Sequence, residues 1–185
     1  MSETAPLALH AWEGFFVIVG TSAGALTGLQ FVVLTLISES GRIRGTDVTL
    51  SAFATPNVIH FSAALLLSGL MTVPWPAALP ATIALVATGV AGAIYSLMIL
   101  RKARSQSDYK PVMEDWIWHM FLPFVAYSSL IPAGLCLGHD AYAPFLAAAV
   151  TLLLVFIGVH NAWDTVIYVM VDRLRDKPAT PPDES

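Results

Sequence analysis

The sequence predicts an all-α integral membrane bundle of five transmembrane helices, with the N-terminus outside and the C-terminus cytoplasmic. Three observations carry this. Only 12% of the 185 residues are charged and 56% are hydrophobic, with mean hydropathy +0.70, whereas a soluble domain usually carries about 25% charged residues. That leaves too little polar surface to cover a globule in water. Charge is absent from 14–38 and from 48–100, and spanning needs roughly 20 apolar residues at about 1.5 Å rise each. Finally, all nine basic residues fall on one side of a five-span count.

The elements follow in order. The first span is expected at 14–37. The uncharged stretch 48–100 is long enough for two spans, and Pro74, Pro76 and Pro80 in VPWPAALP divide it, because proline breaks a helix interior. The second span is therefore expected at 56–72 and the third at 77–100. The fourth follows at 116–137 and the fifth at 142–171. Strand-like alternation is missing, which excludes a barrel. Residues 1–175 read as one transmembrane domain, and the proline-rich tail 176–185 as disordered. The start MSETAPLALHAWEG has no basic stretch before its apolar run, so a cleaved signal peptide is not expected.

Orientation comes from the basic residues. Arg42 and Arg44 lie in the first loop, Arg101, Lys102, Arg104 and Lys110 in the third, and Arg173, Arg175 and Lys177 after the last span. The positive-inside rule assigns that side to the cytoplasm. Trp12, Trp75 and Tyr142 then mark the outer boundary, and Tyr109, Trp116, Trp118 and Tyr168 the inner one. Such belts belong to any membrane bundle.

The buried polar residues are the informative ones. GVHNAWDTV, residues 158–166, puts His160 and Asp164 at i, i+4 and Asn161 and Asp164 at i, i+3, which shares one helix face among the three. Asp164 lies about seven residues, or roughly 10 Å, inside the cytoplasmic end. Gln30 reaches a similar depth in the first span, and His60 and His119 lie just inside the ends of the second and fourth. An ionised carboxylate at mid-membrane costs about 2.5–3.5 kcal/mol, and such residues usually face a bundle interior or a water-filled path. An imidazole beside it titrates near neutral pH and can switch the cluster. His160, Asn161, Asp164, Gln30, His60 and His119 are therefore the candidate ion pathway. Two alternatives stand beside it. One is a structural network, with Asp164 pairing with Arg101 or Lys102; the other is a metal ion held by His60, His119, His160 and Asp164.

GTSAGALTG places Gly20, Gly24 and Gly28 on one face of the first span. Small residues at this spacing let helix backbones approach closely, either within the chain or between subunits. Thr21, Thr27 and Thr35 add hydroxyls near this seam. The lone Cys136 excludes an intrachain disulfide and reads as a small buried hydrophobe. Basic residues form no block, so nucleic acid is not an expected partner. P-loop, HExxH and GxSxG patterns are missing, so neither enzymatic activity nor a cofactor is expected.

At WEGFFVIVGTSAGALTGLQFVVLTL and GVHNAWDTVIYV the chain resembles a group of small, uncharacterised bacterial multi-pass membrane proteins. The resemblance covers the first and fifth spans. It implies a bacterial inner-membrane location and brings no activity with it. The expected function is a homo-oligomeric inner-membrane channel or transporter for a small ion. The alternatives are a non-catalytic subunit that stabilises or modulates a larger membrane complex, and an intramembrane metal-binding protein.

Overall fold

The computed structural model describes residues 8–39, 47–105 and 113–175. A single 3-10 turn, Ala8–Trp12, leads into α1 (Glu13–Glu39). α2 (Asp47–Thr72) and α3 (Ala78–Ser105) follow. Next come the short α4 (Met113–Trp116), a π-helical turn (Ile117–Phe121) and α5 (Leu122–Cys136), and α6 (Ala143–Arg175) closes the fold. Backbone angles remain α-helical at both ends of the π-turn, at Trp116 and Leu122, so α4, the turn and α5 form one rod. Among the described residues there is no strand.

Four stretches are long and apolar enough to cross a membrane: Leu9–Leu36, Ala78–Arg101, Ile117–Cys136 and Ala143–Ile167. Pro56–Thr72 is a shorter apolar stretch within α2. The chain is thus a helical membrane protein. The expected spans fall on these helices with small differences at their ends. α2 shows the largest difference, starting nine residues ahead of the expected 56 (56 − 47); helix hydrogen bonds there outrun the apolar stretch, with Pro56 inside the helix. Arg42, Arg44, Tyr109, Lys110, Lys177 and the tail 176–185 lie outside the described residues.

α2 and α6 form the centre, with α1 against α2, α5 against α6, and α3 against α5. One apolar cluster joins Leu9, Phe16, Met71, Leu85, Leu137 and Ala147. Another joins Ala23, Ala64, Leu67, Leu130, Leu154 and Ile157. The first gathers where α1 and α6 begin and α2 ends, called here the apical end; the opposite end is basal. Trp12 caps the apical end, packing edge-on against Phe145 with ring centroids 4.4 Å apart. Large apolar side chains such as Ile18, Phe31, Ile94, Phe124 and Phe156 point outward, as a lipid-facing surface requires.

Hydroxyls inside this apolar bundle are satisfied mostly by their own helices. Thr27, Thr35, Thr88, Ser96, Thr151 and Thr165 each donate to the carbonyl four residues earlier. That removes the unpaired donor that lipid penalises. Thr27 and Thr35, expected to add hydroxyls to the glycine seam, thus spend them on their own backbone. Cys136 is exposed rather than buried, because the last turn of α5 points it away from the core.

Candidate functional site: a buried polar layer

The register between α2 and α6 is set by a glycine. A Cβ on Gly158 would lie 2.5 Å from Cε1 of Phe61, so the Phe61 ring sits directly on the α6 backbone. The buried stripe of α2 is Asn57, His60, Phe61, Ala64 and Leu67, and that of α6 is Leu154, Ile157, Gly158, Asn161 and Thr165. Because the two helices run antiparallel, one turn toward the basal end from this contact reaches Asn57 on α2 and Asn161 on α6. These two carboxamides are level with each other and are 0% and 1% exposed. Among the described residues, neither the oxygen nor the nitrogen of either amide has a hydrogen-bond partner.

His60 completes the layer from the next turn of α2. Its Nδ1 is 3.0 Å from the Tyr127 hydroxyl, while its buried Nε2 has no partner among the described residues. Tyr127 reaches this point from α5 because its ring lies over Gly92 of α3, where any side chain would collide with it. His119 approaches from the π-turn, near enough to interact electrostatically with His60.

The π-turn has a local cause. Pro123 offers no N–H and its ring crowds the carbonyl of the residue four earlier, His119, which favours a wider turn. Leu122 accordingly donates to the Ile117 carbonyl, a five-residue step. π-turns within α-helices are frequent at functional sites. This one aims Trp118 at α6, where the indole stacks on the His160 ring with centroids 3.9 Å apart and planes 19° from parallel.

His160 stands at the edge of the layer. Its Nε2 is 3.2 Å from Oδ2 of Asp164 and 3.9 Å from Oε1 of Glu114, on side chains 44% and 69% exposed. The geometry is that of an ion pair once the imidazole is protonated, not of an aligned hydrogen bond. Exposed pairs of this kind contribute about 0–1 kcal/mol.

The sequence-selected residues therefore divide. His60, Asn161 and, by proximity, His119 share the buried layer. Gln30 is buried on α1, and the antiparallel packing that sets Gly20 against Ser68 makes it level with that layer. His160 and Asp164 form a partly exposed pair on another flank of α6, so the single face expected for His160, Asn161 and Asp164 is split. Among the described side chains the ion-pair partner of Asp164 is His160; Arg101 is exposed, and the Lys102 side chain is not described. No three His, Cys, Asp or Glu side chains among the described residues group as a metal site would need.

The glycine face divides as well. A Cβ on Gly20 would meet Ser68 Cβ at 2.7 Å, whereas Gly24 is 3.9 Å from Leu65 and Gly28 has nothing within 4 Å. The close approach lies at Gly20 within the chain. Gly24 and Gly28 look outward.

Sequence reasoning passed over Asn57 and Tyr127. Asn57 falls in the first turn of the expected second span, beside Pro56. The usable signal was its i, i+3 spacing to His60, which repeats on α2 the polar spacing seen on α6. Tyr127 lies mid-span, away from the boundaries where a membrane tyrosine is ordinarily found. Compared with known protein families, with curated proteins and with solved structures, the chain finds no match in any of the three.

Proposed function

We propose that this chain is a five-span protein of a bacterial inner membrane, N-terminus outside and C-terminus cytoplasmic, that transports a small ion through a polar chamber inside each protomer. One observation carries the reading: Asn57, Asn161 and His60 are buried on facing helices with polar atoms that no described residue satisfies. A group left so costs about 1–3 kcal/mol. A purely structural network would pair its members, and a fold selected for stability alone would place leucine there. Unpaired donors and acceptors are what a hydrated path or an ion requires.

The arrangement also supports a direction of access. The layer lies toward the basal end, which this reading sets in the cytoplasm. Above it Leu67, Leu130, Leu154 and Ile157 are packed with almost no exposure. An apolar seal on one side, with the titratable side chains His160, Asp164 and Glu114 nearer the basal surface, suits alternating access better than a standing pore. The polar residues are buried within a single chain, so a homo-oligomer, if formed through the Gly24 and Gly28 face, would multiply pathways and not create one.

The test is flux across proteoliposomes for a panel of small ions. Wild-type protein is expected to carry at least one, and Asp164→Asn to reduce the rate or alter its selectivity while leaving folding intact. A well-folded protein that carries none of them would contradict the reading, and would favour a subunit that supports a larger complex.

A further inference from the structure

We propose that the transported ion is the proton and that His60 is the group that binds it within the membrane. The inference rests on the ion-transport reading and deepens it. The choice of ion follows from the chemistry of the buried layer. Among the described residues the layer and its level contain three carboxamides (Asn57, Asn161 and Gln30), imidazole and phenol, and no buried carboxylate. Calcium and magnesium take several oxygen ligands, commonly with carboxylates among them, and divalent transition metals need a grouped ligand set that is not present among the described residues. A proton needs neither. It needs one basic atom and neighbours that can turn to serve both protonation states.

His60 has that form. The Tyr127 hydroxyl, 3.0 Å from Nδ1, can donate to a bare nitrogen or accept from an N–H, because a hydroxyl does both. When Nδ1–H donates to Tyr127, Nε2 carries the lone pair. A hydronium ion arriving there gives up its proton to Nε2, forming an N–H bond and leaving water and an imidazolium. The carboxamides of Asn57, one turn away on α2, and Asn161, on the facing α6, have unpartnered atoms; on turning toward His60 their oxygens would receive that N–H and their nitrogens would donate to the bare form. Release reverses the same step. Uncharged amides suit a site that must let the proton go, whereas a buried carboxylate would hold it as a fixed ion pair.

The titratable groups around His60 are few. Tyr127 of α5 and His119 of the π-turn face it, and Tyr95 of α3 lies close to Tyr127. α2 and α6 contribute the neutral Asn57 and Asn161. A charge on His119 opposes one on His60. His160, Asp164 and Glu114, nearer the basal surface, supply acid and base groups by which a proton reaches water.

The experiment uses full-length protein in vesicles that hold a pH-sensitive dye, with potassium and valinomycin setting the potential. Parallel vesicles carry sodium or potassium indicators. Wild-type protein is expected to dissipate an imposed pH gradient, and His60→Gln, which retains a hydrogen-bonding group but cannot bind the proton, to slow this about tenfold or more. Undiminished proton flux in His60→Gln overturns the inference. Sodium or potassium flux without proton flux also overturns it and leaves ion transport standing. Loss of all flux in folded wild-type protein removes both. If His60→Gln does not fold, nitrogen-15 resonances of His60 in wild-type protein in lipid decide: a reversible bare-to-protonated transition at Nε2 supports the proposal, and an unchanging tautomer over the whole pH range in which the protein stays folded contradicts it.

Discussion

At the residue scale, the account distinguishes side chains that hold the fold from those that tax it. Asn161 belongs to the second group. Replacing it with leucine removes two unsatisfied polar atoms from an apolar interior, so stability is expected to hold or rise by about 1–3 kcal/mol, read as a shift in thermal unfolding in detergent. Asp164 gives a different expectation. Its pair with His160 is half-exposed, so Asp164→Asn should change stability by no more than about 1 kcal/mol. A loss of about 3–5 kcal/mol, the signature of a broken buried pair, would show that the carboxylate is structural. The level of these residues was legible in the sequence, because counting along a helix gives depth directly. Their direction was not. Asn161 and Asp164 are three residues apart, and only the seat of Phe61 on Gly158 decides that the first turns inward and the second toward the flank. Asn57 was hidden by Pro56, which suggested a boundary where the helix in fact continues.

At the element scale, close helix contacts are set by a few small residues. Gly20→Leu puts a side chain into Ser68 of α2, and overpacking of this kind typically costs about 1–3 kcal/mol. Gly24→Ala meets only Leu65, at ordinary contact distance, and should leave the monomer's unfolding temperature unchanged. Comparing the two in detergent separates packing inside the chain from packing between copies, since a change of oligomeric state confined to Gly24→Ala would place a second chain on that face. The helices themselves were plain in the sequence, because long uncharged stretches admit few other structures in lipid. The π-turn was not. It depends on where Pro123 falls relative to His119, and a pattern of apolar residues carries no sign of how one turn widens.

At the scale of the whole molecule, the proposed transport reading places the polar layer beneath an apolar seal, with access from one side. The proposed five-span topology would set that side in the cytoplasm. A reporter that works only in the cytoplasm, fused after Ser185, should therefore be active, and activity only from a periplasmic reporter would reverse the direction of access. The proposal is that Asn57, Asn161 and Nε2 of His60 lack partners among the described residues because an ion passes among them. The most direct measurement is ion flux through proteoliposomes containing the double variant Asn57→Leu, Asn161→Leu, with its unfolding temperature taken on the same preparation. The account expects a protein at least as stable as wild type whose flux is lost. A variant that transports at the wild-type rate, or one that loses stability instead, would contradict it.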